Sequence, residues 1–206
     1  LVAYHTAYLK ANFPVEFLAA SMTLDMGNTD KLHMFAQEAR RLAIPVKPPC
    51  VNASGREFRT EAGAIRYSLA ALKNIGVQSV DHFVATRGEG GPYRSLSDFA
   101  RRLNPKMINK RAVETLAAAG AFDQLEPNRA LVHANADSIM ALAQRVTADA
   151  AAGQNDLFGT PSAPPELELK PERPWLPMTQ LEREHAAVGF FLSGHPLDAY
   201  QSLLER

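Results

Sequence analysis

Six prolines fall between positions 161 and 177, in PSAPPELELKPERPWLP, and they divide the chain more sharply than any other feature. A proline ring fixes φ and removes a backbone donor, so no helix or sheet ladder runs through such a stretch. The composition predicts an exposed, largely disordered Pro-rich linker. Most of the folded structure must then come from the residues before it, with a short tail, residues 178–206, beyond.

Of the 206 residues, 46% are hydrophobic, enough for one or two modest cores, and 21% are charged, as is ordinary for a soluble chain. Cys50 is the sole cysteine, so no internal disulfide forms, and no apolar run approaches the roughly 18 residues of a membrane span. A reducing, cytoplasmic setting without a membrane is expected. Leu1 follows no methionine or signal-like segment and already stands in a helical pattern, so the chain reads as a piece of something longer.

Helical spacing dominates the first forty residues. Tyr4, Ala7, Tyr8 and Ala11 recur along one helix, and Pro14 stands where a second begins. Thr29 is placed to cap a third helix, on which Leu32, Phe35, Ala36, Ala39 and Leu42 make one apolar stripe. IPVKPPCVN is too rich in proline for a helix and is expected to cross the surface in extended form. EFRT and AIRYS, separated by Ala-Gly, predict a small β-hairpin. The expected class is mainly α.

The stretch LAALKNIGVQSVDHFVATR predicts a short helix through Leu69, Leu72 and Ile75, a tight turn at Gly76, and a second helix carrying Val80, Phe83 and Val84. It resembles the helix-hairpin-helix motif of DNA-binding proteins. In such a turn the free N–H groups at the second helix's start, aided by its dipole, receive a phosphate oxygen without reading a base. Asn74 stands where that motif usually has its first glycine; asparagine tolerates left-handed backbone, so the turn can survive. Lys73, Asn74 and Gly76 are the candidate contacts of this unit.

A second unit follows in SLSDFARRLNPKMINKRAVETLAAAGAFDQL. Ser95 with Asp98 resembles a capping box, Asn109 can open another helix, and Gly120 can close it. Arg101, Arg102, Lys106, Lys110 and Arg111 gather around the connecting turn as phosphate-contacting residues would. Residues 66–111 hold nine Lys/Arg against three Asp/Glu, whereas residues 112–206 hold six against thirteen. The zero net charge therefore hides a basic middle, which points to a polyanionic partner. GEGGPYR contains a G-x-G, but no strand leads into it, so it reads as a loop and not as a nucleotide fingerprint.

Residues 127–152 predict one long helix. GQNDLFG follows at 153–159, and a Leu-Phe pair in a segment otherwise without large hydrophobes marks a short linear motif that folds into a partner's pocket. Beyond the prolines, Thr179 with Glu182 suggests a capped helix, then GFFLSGHPLDAYQSLLER an apolar strand or turn and a final helix. Catalytic patterns are missing: Asp25, Asp30 and the acids of the tail do not converge, and there is no HExxH, cysteine pair, Walker loop or triad order. His185 and His195 read as structural or surface groups.

AYHTAYLKANFPVEFLAA, NTDKLHMFAQEARRL, PVKPPCVN, GAIRYSLAALKNIG, NKRAVETLAAAGAFD, PNRA, GQNDLFG and GFFLSGHPLDAY stand together in an order that resembles the alpha subunits of bacterial DNA polymerase III, the replicative polymerases of the C family. The resemblance spans nearly the whole chain. It implies that residues 1–50 close a fingers domain and that 51–152 form a tandem helix-hairpin-helix domain binding duplex DNA. Residues 153–177 would carry a clamp-binding motif and flexible linker, and 178–206 a helical connector toward an OB-fold domain. In that family the motif docks on the sliding clamp through Gln, two loosely specified residues and Leu-Phe, here Gln154, Asn155, Asp156, Leu157 and Phe158. The parent enzyme would be a DNA-directed DNA polymerase meeting other replisome subunits. Its Mg2+-binding carboxylates lie in an upstream palm domain, leaving this segment inactive alone and without cofactor or metal of its own. Two other readings are a helical protein-interaction module with a basic face for an acidic partner, and the same region of a mutagenic translesion paralogue.

Overall fold

Asparagine and serine side chains set where four of the described helices start. The computed structural model describes residues 1–151, 166–194 and 196–197. Asn28, Ser95, Asn109 and Asn128 each accept a bond from the backbone N–H three residues on, opening α3 (Thr29–Arg41), α5 (Leu96–Arg102), α6 (Lys110–Ala118) and α7 (Arg129–Ala134). Prolines with preset φ open α2 (Pro14–Leu24) and α9 (Pro177–Val188). The expected caps Thr29 and Thr179 are instead the first and third residues of their helices. Helices α1 (Val2–Asn12), α4 (Val77–Gly90) and α8 (Ala136–Ala151) complete the set. The mainly α class holds.

The hairpin is also present. β2 (Arg59–Glu61) runs antiparallel to β3 (Ala64–Arg66), and both Ala62 and Gly63 have positive φ, as a two-residue turn of the type that follows strand twist requires. PVKPPCVN does more than cross the surface. Its β1 (Val46–Lys47) pairs parallel with β3, giving the order β1-β3-β2, and Val51 is fully buried with its N–H on the Ala121 carbonyl. Glu61 joins the edges, bonding Lys47 of β1 at 2.9 Å and Arg66 of β3 at 2.8 Å.

A shared core lies beneath these elements. Phe99 of α5 meets Tyr93, Phe83 and Phe122 at ring separations of 5.1, 5.5 and 4.9 Å, edge-on or tilted as aromatic quadrupoles prefer. Small alanines of α6 let α7, α8 and α9 approach closely, and α5 packs on α8. By contrast, α1 buries none of its residues.

Three further expectations about helices and loops change in the structure. Residues 69–75 form turns, not a helix, because their backbone donors find distant acceptors: Leu69 N–H bonds the Gly55 carbonyl and Lys73 N–H the Ala187 carbonyl. The expected loop at Gly88–Gly90 is the last turn of α4. The single helix over 127–152 is two, broken at Asn135, whose side chain accepts from Lys170 N–H at 2.7 Å and donates to the Lys170 carbonyl at 2.9 Å.

That last exchange also corrects the linker. Residues 166–176 have no regular structure, yet they are pinned: Leu167 N–H reaches Ser97 Oγ, the Glu172 carbonyl accepts from Asn128, and Leu167, Leu169 and Trp175 pack on the core. Prolines deny the strap its own ladder, and two asparagines supply it instead. The clamp-motif candidates Gln154, Asn155, Asp156, Leu157 and Phe158, together with His195 and the expected final helix, lie outside the described residues.

A buried ion pair ties α9 into this frame. Arg129 bonds Asp123 at 2.7 Å and the fully buried Glu184 at 3.2 Å, while Glu184 also accepts the N–H groups of Leu192 and Ser193. All these charges and polar groups are satisfied, which a buried pair requires. Gly120, at φ +80°, leaves room for the Arg129 guanidinium where a Cβ would clash.

Candidate nucleic-acid interface

Two turns face one another across the helices they open. Asn74-Ile75-Gly76 precede α4 and Met107-Ile108-Asn109 precede α6. In each, the isoleucine is buried, 8% exposed at Ile75 and 5% at Ile108, and so roots the turn in the core. Asn74 takes φ +61°, the left-handed conformation expected of it in place of glycine.

The two units brace each other reciprocally. Ser79 in the first turn of α4 donates to the Met107 carbonyl of the second turn, and Asn74 of the first turn donates to Thr115 of α6 at 3.4 Å. His82, one turn further along α4, accepts the Asn104 N–H at 2.9 Å through Nε2. Sequence reading missed Ser79, His82 and Thr115, although Ser79 and His82 share one face of α4 at a spacing of three.

The start of α4 is left open. Gly76 has no side chain to cap it, and the N–H groups of Val77 and Gln78 meet no acceptor among the described residues. Neither α4 nor α6 has an acid in its first turn, unlike α2, α3, α5 and α8. Their positive ends are therefore not neutralised from within. Gly76 sits at φ −77°, ψ 146°, which any residue adopts, and a Cβ there would come no closer than 3.7 Å to Ser79 Oγ. Nothing among the described residues requires a glycine at this position.

The predicted cations divide into two groups. Arg102 is turned inward: its guanidinium lies 4.5 Å over the Tyr93 ring, bonds the Gly91 carbonyl at 2.9 Å and Asp98 at 3.2 Å, and donates to the Thr86 carbonyl. Its charge is committed to holding α4 against α5. Arg66 and Arg87, which contribute to the basic count, are likewise bonded to carbonyls within the fold. Burial pushes the Arg87 pKa down and Tyr93 up. Lys73, Lys106 and Arg111 are exposed and make no ion pair among the described residues. Lys110 is exposed and pairs with Asp137 at 2.6 Å, a bond that raises its pKa. Such a solvated pair is weak and readily exchanged for another anion. Arg101 is partly buried on α5.

Among the described residues no three His, Cys, Asp or Glu side chains stand together to hold a metal, and no helix is long and apolar enough to cross a membrane. A cleft of about 700 Å3 opens between α3 and residues 189–194, sharing no residue with the two turns. Its mixed lining of His33, His185, Asp30, Arg40 and phenylalanines lacks the charge bias of the turns, which makes the turns the stronger candidate.

Two braced turns, the second joining α5 to α6 and the first opening onto an uncapped α4, are the features of a helix-hairpin-helix module, and the model of that motif matches residues 43–132. Over its whole length the chain is 48% identical to DNA polymerase III subunit alpha of Caulobacter vibrioides, 38% to that of Thermus aquaticus and 36% to that of Escherichia coli. It spans 18%, 16% and 18% of those relatives. The chain belongs to the DNA polymerase III alpha-subunit family, as a segment of it.

Proposed function

We propose that this chain is the part of a replicative DNA-directed DNA polymerase that grips duplex DNA by its backbone and, through residues 154–158, tethers the polymerase to the sliding clamp in the bacterial cytoplasm. The observation that carries the first half is the open start of α4: unpartnered N–H groups at a glycine the fold does not need, braced beside a second turn and flanked by Lys73, Lys106 and Arg111. Phosphate oxygens fit such donors without any base being read. Asn74, Gly76, Arg101, Lys110 and Arg111 complete the proposed contact, while Arg102 shapes it from within. The clamp half is supported by the sequence Gln154-Asn155-Asp156-Leu157-Phe158, a polar anchor followed by two side chains that fill an apolar pocket. Catalysis, its Mg2+ and contacts to other replisome subunits belong to the rest of the longer polypeptide.

The test is fluorescence anisotropy with two duplexes of unrelated sequence, over a range of salt. Equal affinity for both is expected, and Lys73→Gln, Lys106→Gln and Arg111→Gln together should flatten the slope of log affinity against log salt by roughly two to three. A strong preference for one sequence, or an unchanged slope, would place the DNA contact elsewhere.

A further inference from the structure

We propose that Val77 and Met107 rest on the sugars of the bound backbone and make the paired turns selective for 2′-deoxyribose over ribose. This rests on the duplex-binding reading above and names the substrate class that the same site prefers.

The observation is one of distribution. Across residues 43–132 the large hydrophobic side chains are buried or partly buried with two exceptions, Val77 at 40% exposed and Met107 at 44%. One stands on each turn. Val77 is the first residue of α4, directly after Gly76, and the Met107 carbonyl receives the Ser79 hydroxyl, so the two tips are held side by side. Single exposed hydrophobics need no explanation, but two confined to the tips of a paired motif, among cations and unpartnered N–H groups, do.

Charge complementarity identifies the occupant. Groups that take phosphate oxygens hold the adjoining sugars within reach of whatever side chains lie between them. Valine and methionine offer neither donor nor acceptor, and methionine adapts its shape to an uneven surface. The C2′ methylene of deoxyribose packs against them without loss. A ribose 2′-hydroxyl in the same place would be stripped of water with no partner, a cost that apolar contact does not return. The 2′ position is also the chemical difference by which a protein distinguishes RNA from DNA at a given site.

The experiment measures binding of the full chain to a DNA duplex, an RNA duplex of the same sequence and its 2′-fluoro counterpart, which keeps the RNA-like helix but has no hydroxyl. Wild type is expected to bind DNA about tenfold more tightly than RNA, with the 2′-fluoro duplex within about threefold of DNA. Val77→Thr with Met107→Gln, nearly the same in shape but polar, should bring DNA and RNA within about twofold while the melting temperature stays put. Each single substitution, carried in parallel, should give part of that shift. The inference is overturned if wild type binds DNA and RNA equally, if it binds the 2′-fluoro duplex as weakly as RNA, or if the double variant keeps the wild-type ratio. Failure to bind any of the three duplexes would instead remove the duplex reading itself.

Discussion

Gly76 and Asn74 invert the roles that their residue types suggest. The left-handed backbone of the first turn is at Asn74, φ +61°, while Gly76 adopts an ordinary extended conformation. A glycine with no conformational duty and room for a Cβ is free to serve whatever approaches from outside. Gly76→Ala is therefore expected to leave the fold intact, or to stabilise it by about 0.4–1 kcal/mol through the unfolded chain, while weakening duplex binding. Calorimetry beside anisotropy checks both halves, and a drop in melting temperature would mean that the glycine is structural after all. The left-handed turn at Asn74 was legible because few residue types tolerate that conformation. The inward Arg102 was not, since the Tyr93 ring and the Thr86 and Gly91 carbonyls that hold it are brought there only by folding.

Among the elements, the small sheet depends on Glu61. Hydrogen bonds from Arg66, and next from Lys47, hold its carboxyl down from the ordinary 4.5 to about 2. Because the folded state favours the charged form, the stabilisation is complete above pH 4.5 and is lost as pH falls toward about 2, so stability rises with pH across that window. A melting-temperature series from pH 5 to pH 2 should fall more steeply for wild type than for Glu61→Gln; parallel curves would mean that the pair contributes nothing. The hairpin itself was readable from alternation and the Ala-Gly turn. The missing helix at 69–75 and the pinned strap at 166–176 were not, for the same physical reason. Local patterns say which backbone groups lack near partners, but not that Gly55, Ala187, Asn128 or Asn135 will satisfy them from far along the chain.

At the scale of the whole molecule, the charge asymmetry read from sequence was real but overcounted. Part of the basic middle is internal bracing, so the outward field comes from fewer residues, chiefly Lys73, Arg94, Lys106, Lys110 and Arg111. The acidic half was legible only as a count, because its most consequential member, Glu184, is wholly buried against Arg129. The proposed clamp tether would be a property of the intact assembly. Titration with the sliding clamp of the same organism should give binding that Leu157→Ala with Phe158→Ala weakens by about 30-fold or more. Equal binding by both chains would detach the tether from GQNDLFG. A duplex held at the turns and a ring held by the peptide would each raise the local concentration of the other, so modest individual affinities suffice for processive synthesis.

The bond from Lys73 N–H to the Ala187 carbonyl, with the Glu184–Arg129 pair beneath it, also makes a mechanical linkage. The first turn and the end of α9 are tied together: one hydrogen bond and one peptide step separate Lys73 from Val188, and from there the chain continues through residues 189–194. A displacement of that turn is therefore carried into residues 189–194 by covalent and hydrogen bonds, with Leu192 and Ser193 held on Glu184, and not by packing alone.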